Sequence, residues 1–260
     1  MLSLAKKVGG HGAVEYYLAA IRGQGWFEPS PDGGPRGRWA DPHGLLAAWG
    51  IRHGDLIDDE NARDLVRQLA RGYAPTYYEG AALARNAGHP RRVVGVDGAY
   101  SAPKTLSIAW AGVADDSPTK AAIEQALLVA TAEARALLHK LGGVVRRGKG
   151  GAKERPGQFC GALFLHADTR LGDPSLHVHD LEGNPARDPQ GLREEIEAFL
   201  ALEGREPTER ERARMGWHSI ESRKLFLAQK IGGAAFRVEL AWQLANGVGS
   251  QHPDLAFLIT

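Results

Sequence analysis

Three histidines, His166, His177 and His179, carry the side chains in this sequence best suited to chemistry. They lie in two short apolar runs, residues 159–166 and 176–179. In an extended chain alternate side chains share a face. His177 and His179 then point one way and Leu176 and Val178 the other, while His166 opposes Leu163 and Leu165. Residues 167–175 between the runs are rich in turn formers. If they return the chain as a hairpin, both aliphatic sets face one core and three imidazoles converge on the opposite side. Three imidazoles on a rigid sheet can hold a metal ion with coordination positions left open, as catalytic sites require. By softness such a set suits zinc, nickel, copper or manganese, whereas magnesium prefers oxygen. The pattern specifies a metal centre and no reaction.

The surrounding elements follow from periodicity and punctuation. Residues 1–8 read as a strand, broken by the glycines at 9–12, and 13–22 as a helix bearing Tyr16 and Tyr17. Residues 23–43, dense in Gly, Pro and Trp, read as a loop or flap. Short helices are predicted near 45–49 and 59–73, with Asp58 or Asp59 as cap. A strand over 92–100 runs into Ser101-Ala102-Pro103-Lys104, where Pro103 is placed to open a helix. Apolar spacing through Ile123, Ala126, Leu127, Ala130, Ala134 and Leu138 predicts a helix over 119–141. A strand at 144–147 and the two histidine runs read as an antiparallel meander. The polar stretch 187–215 reads as a surface insertion, and 222–246 as a helix interrupted or weakened at Gly232-Gly233. The fold class is therefore α+β: a central antiparallel sheet carrying the histidines, with helices packed on one face.

Bulk composition narrows the classes. At 260 residues the chain can bury a real core, and 43% hydrophobic with 24% charged residues is ordinary for a globular protein. The one cysteine, Cys160, excludes an internal disulfide framework and fits a cytoplasmic setting. No apolar stretch approaches the ~20 residues of a membrane span. Net charge is +1, so any nucleic-acid surface must be local. One such surface is the segment 146–155, which holds Arg146, Arg147, Lys149, Lys153 and Arg155 against Glu154.

In combination these landmarks resemble the relaxase domain of MobF-type conjugative relaxases, within the HUH endonuclease superfamily. His177-Val178-His179 resembles the His-hydrophobic-His element. His166-Ala167-Asp168-Thr169-Arg170, then Asp173-Pro174 and Leu176-His177-Val178-His179, follow the three-histidine motif in order and spacing. Asp97 through Lys104 is similar to the family's strand-to-helix signature, and Met1-Leu2-Ser3 with Tyr16-Tyr17 to its opening strand and helix. The likeness spans nearly the whole chain, as a single domain over residues 1–260. The chain ends at Thr260, before the substrate-clamping segment and helicase region expected of longer relaxases.

The resemblance implies an enzyme that nicks one DNA strand at an origin of transfer through a tyrosine nucleophile, leaving a 5′-phosphotyrosine link. By family position Tyr16 is the nucleophile, and Tyr17 is its neighbour or a second nucleophile. Asp97 is the family aspartate, expected to orient a metal-bound histidine or to accept the phenol proton. Lys104 and Arg170, with Arg146, Arg147 and Lys149, are expected DNA contacts. The implied cofactor is a divalent ion, Mg or Mn in working conditions, with Zn, Ni or Cu also compatible. The implied partners are single-stranded DNA, relaxosome accessory proteins and a separate helicase. Two departures stand out. A second tyrosine pair common in the family has no counterpart in residues 23–27, and Asp180 and Glu182 follow the histidines where apolar residues are usual. Parity would push both acids toward the core, so the strand is expected to bulge, twist or end there. The alternatives are a non-catalytic DNA-binding module and a metal hydrolase using water.

Overall fold

The computed structural model describes residues 1–8, 12–20, 37–76, 80–114, 117–169 and 173–248. Arg170 and residues 21–36 of the expected helix end and flap lie outside the described residues. In chain order the elements are β1 (Leu2–Val8), α1 (Gly12–Ala20), β2 (Gly37–Ala40), α2 (Glu60–Arg71), β3 (Val93–Ser101), α3 (Lys104–Ala111) and α4 (Pro118–Gly142). They continue with β4 (Val144–Arg147), β5 (Lys153–Pro156), β6 (Gly161–Asp168), β7 (Pro174–Gly183), β8 (Pro185–Arg187), α5 (Pro189–Glu203), α6 (Glu209–Ala213), β9 (Trp217–Ser219) and α7 (Ser222–Gln243).

Five strands form one antiparallel sheet in the order β1-β3-β7-β6-β2. On one face β6 and β7 contribute Leu163, Leu165, Leu176 and Val178, which meet α3, α4 and α7 through Trp110, Ile123, Leu127 and Phe236. Burial of each such side chain stabilises the fold by about 1.5–3 kcal/mol. The opposite face carries the histidines and a second core, in which Tyr17, Trp39, Phe164 and Leu181 pack with Leu65 and Leu69 of α2. Local chemistry sets the helix ends. Asp59 accepts from the Ala62 amide at 2.7 Å to start α2, and Gly72, at φ 87°, ends it. Ser117 caps α4, with Pro118 in its first turn.

Three expectations need correction. The first strand of the expected meander, β4, leaves the sheet and pairs with β5 as a separate ribbon; only β6 and β7 are the expected hairpin. Gly232-Gly233 does not interrupt α7. Both glycines are buried: a Cβ on Gly232 would sit 2.7 Å from the Leu138 side chain, so its absence lets α7 close on α4, while Gly233 faces Leu2 of β1. Finally, β7 neither bulges nor stops at its acids: its pairing with β3 runs without a shift to Gly183. Asp180 and Glu182, 3% and 4% exposed, enter the core side as parity demands. Two α4 residues compensate them. Arg135 pairs with Glu182 and, at 3.3 Å, with Asp180, and His139 Nε2 lies 2.8 Å from Glu182. Burial would raise Glu182, but Arg135 and His139 hold its carboxyl down at about 2. Burial and the Glu182 charge push Asp180 well above the usual carboxylate range. One guanidinium in the core stabilises one full negative charge, and the second carboxyl is driven toward its neutral form.

The stretch read as an insertion lies between the paired strands β8 and β9 as α5 and α6.

Candidate metal centre

The hairpin register builds the site. His166 sits directly opposite His177, and His179 pairs with Phe164 on one side and Ala99 on the other. All three rings therefore leave the sheet on the face away from α4. Their ligand atoms lie within 4.8 Å of one another. Ring centroids are 4.8 Å apart for His166–His179, 5.0 Å for His177–His179 and 5.3 Å for His166–His177.

Outer partners orient two of the rings. His177 Nδ1 is 2.6 Å from the Ser175 carbonyl oxygen, and His179 Nδ1 is 2.8 Å from Asp97 Oδ1. A carbonyl oxygen can only accept, so Nδ1 of His177 carries the hydrogen and the Nε2 lone pair becomes the ligand. The ionised Asp97 fixes His179 in the same tautomer. This arrangement, imidazole nitrogen inward and outer nitrogen donating to oxygen, is how ligating histidines are held. The donor set fits a divalent first-row metal ion.

Asp97 is placed by the β1–β3 ladder, opposite Ala5. It is buried, and its Oδ2 lies 3.1 Å from Lys7 Nζ. Burial would raise its carboxyl, but the hydrogen bond and charge of His179 and the charge of Lys7 hold it below the ordinary range. Lys7 was not among the expected site residues. The alternation that places Ala5 beside Asp97 also brings Lys7 to the imidazole face, but seeing this needed the β1–β3 register.

The two tyrosines of α1 have different fates, as side chains about 100° apart on a helix must. Tyr17 is 1% exposed, stacked on Phe164 at 5.6 Å and edge-on to His179 at 5.1 Å. Burial and the neighbouring Asp97 carboxylate push its phenol far above the ordinary range. Tyr16 is 46% exposed, with its ring 5.4 Å from His166 and 5.7 Å from His179. One phenol thus lies over the cluster within reach of solvent, and the other packs beneath it.

The expected DNA-contacting cations are dispersed. Lys104 opens α3 and donates to the Pro174 carbonyl at 2.8 Å, which ties that helix to the start of β7. Arg146 lies 3.7 Å from Glu221. Arg147 is taken up within the fold: it bridges Asp188 at 2.9 Å and Glu194 at 3.3 Å, and Arg155 reinforces both contacts. Lys149 stands exposed at the tip of the β4–β5 hairpin. Among the described residues no helix is long and apolar enough to cross a membrane.

Comparison with known proteins agrees with this architecture. No curated protein matches the chain. Solved structures do. The conjugative relaxase TrwC in complex with oriT DNA, copper-bound, superimposes with a TM-score of 0.64 at 20% identity, covering 94% of this chain and 70% of that one. A metal-bound TrwC–oriT complex gives 0.62 at 21% identity with the same coverage. TrwC complexed with a 27-mer DNA comprising the recognition hairpin and cleavage site gives 0.60 at 21% identity, covering 94% and 69%. At these identities the likeness establishes the fold. The family model described as TrwC relaxase matches residues 10–254, and the chain belongs to that family of MobF-type relaxases.

Proposed function

We propose that this protein is a divalent-metal-dependent relaxase that cleaves and rejoins one strand of origin-of-transfer DNA through a covalent link to Tyr16. The observation that carries the reading is the pairing of a solvent-accessible phenol, Tyr16, with the rings of His166 and His179 at 5.4 and 5.7 Å. A bond forms between the Tyr16 phenolic oxygen and phosphorus, and the bond from phosphorus to the 3′ oxygen breaks. The phenol proton leaves to solvent or base, and the departing 3′ oxygen takes up a proton. The link preserves the phosphodiester's energy, so the same steps in reverse reseal the strand. An ion bound at His166, His177 and His179 would draw charge from the phosphate oxygens and supply the electrophilic assistance that such a displacement needs. Magnesium or manganese is the proposed working ion.

In this reading Asp97 orients His179. Its commitment to the His179 and Lys7 nitrogens argues against service as proton acceptor for Tyr16. Tyr17 has a packing role, because burial and a raised pKa disfavour the phenolate a second nucleophile needs. Lys149 and Arg146 on the hairpin, Lys104 and Arg170 are the proposed phosphate contacts; Arg147 instead anchors α5. The single-stranded substrate, accessory proteins, a separate helicase, a cytoplasmic setting and a single domain over 1–260 belong to the same proposal.

The test is a labelled origin oligonucleotide incubated with the protein and Mg2+ or Mn2+, then run under denaturing conditions. The expected result is a protein–DNA adduct that Tyr16→Phe abolishes and Tyr17→Phe retains. Salt-dependent binding with no adduct would select a non-catalytic module. Multiple turnover without protein-linked DNA would select a water-using hydrolase.

A further inference from the structure

On the sheet face opposite the imidazoles lies a cavity of about 500 Å3. Its walls are the last turns of α4, the base of the β4–β5 hairpin and the loop after β2. That volume falls in the usual range for small-molecule sites. Its titratable lining is His43, His53, Arg135, His139 and Lys140, with no carboxylate among the lining residues. Three acids adjoin lining residues: Asp41, Asp180 and Glu182. Asp41 accepts from the Leu45 and Leu46 amides at 2.9 and 2.7 Å, and Glu182 and Asp180 lie behind Arg135. Apolar walls come from Pro42, Leu141, Val144 and Pro156.

Arg135 and His139 face Glu182 as well as the cavity, so the cations at its edge are Lys140 and, when protonated, His43. Burial lowers the His43 pKa below the usual value, and the His139 and Arg135 charges lower it further against the opposing pull of Asp41 and Glu182. His53 Nδ1 accepts from the Asp41 amide at 3.1 Å, so the hydrogen of its neutral ring sits on Nε2 as a donor. The end of α4 adds backbone carbonyl acceptors. Imidazole and apolar surfaces suit a flat ring, cations at the rim suit a phosphate, and the lining offers both donors and acceptors to a base edge.

We propose that this cavity is a second nucleotide-binding site, taking one base between its imidazole and apolar walls with the attached phosphate toward His43 and Lys140. The proposal rests on the reading that the chain handles DNA. The ligand is either a free mononucleotide or one residue of a strand that also meets the basic hairpin.

Histidine ring resonances of the full chain, followed by NMR while thymidine 5′-monophosphate is added at several pH values, test it. A bound phosphate must raise the His43 pKa, so the expected result is a saturable His43 shift and tighter binding as pH falls through the imidazole range. Lys140→Ala and His43→Ala should each weaken binding about tenfold, as should replacing the nucleotide by inorganic phosphate. A single-stranded oligonucleotide that reproduces the His43 shift assigns the site to the strand. A shift with the mononucleotide alone assigns it to a free nucleotide. A silent His43, or equal shifts from phosphate and nucleotide, overturns the site. The two readings fail separately: adduct without a His43 response refutes only the cavity, and a His43 response without adduct refutes only the nicking chemistry.

Discussion

Arg135→Met is the most informative single change in the core. The guanidinium is 4% exposed and is the only side chain that pairs with both Asp180 and Glu182 among the described residues. Methionine keeps much of the apolar stem but leaves two carboxyls facing a hydrophobic interior with His139 as their remaining partner. Breaking a buried ion pair on one side costs about 3–5 kcal/mol. For a domain of this size that corresponds to roughly 6–20 °C in melting temperature. The sign with pH is the sharper test. In the parent, Glu182 is depressed to about 2, so its contribution is present above the unfolded carboxyl range and is lost as pH falls through it. In the variant both carboxyls titrate above their unfolded values, so each is tolerated when protonated and costs stability as pH rises. The deficit should therefore be largest near neutrality and shrink on acidification toward pH ~4. Thermal unfolding of both proteins across that interval reads it directly. A deficit under about 1 kcal/mol at neutral pH, or one that grows with acid, would refute the assignment of Arg135 as the compensating charge.

Asp97→Asn should weaken Mn2+ binding by about 10–100-fold in calorimetry, because His179 loses the anion that fixes its tautomer; unaltered affinity would show that the contact does not orient the ring. Gly232→Leu places its Cβ 2.7 Å from the Leu138 side chain and should lower unfolding free energy by about 1–3 kcal/mol in denaturant melts, whereas a neutral result would mean the α4–α7 contact can widen. Asp59→Ala removes the 2.7 Å cap on α2 and should cost about 1 kcal/mol, read as a shifted urea midpoint with unchanged slope.

The imidazole face was legible because its information is local. Alternation over residues 163–166 and 176–179 fixes which way each imidazole points, and the turn formers between them leave few ways to return the chain. Capping residues such as Asp59 and Ser117 likewise act within three residues of themselves. What escaped were properties that depend on a partner distant in sequence. The strand at Val144–Arg147 has the composition of its neighbours but is held by β5 and by contacts such as Val145 to Ile220, so composition could not exclude it from the sheet. Gly232 reads as a helix breaker until Leu138, on another helix, is brought against it.

Asp180 and Glu182 show the same logic at the centre of the molecule. A single strand, β7, carries His177 and His179 on one face and two acids on the other. Ending the strand at the acids would have freed them to solvent, but it would also have removed the β3 pairing that runs from His179 through Asp180 to Gly183. That pairing places Ala99 opposite His179 and keeps Asp97 in reach of its Nδ1. Arg135 and His139 make it possible to continue the ladder through two acidic residues, one of them driven toward its neutral form. The ion cluster beneath the sheet is thus a condition for the geometry of the imidazoles above it, through a backbone that both faces share. On this argument, loss of Arg135 should loosen the metal centre as well as the core.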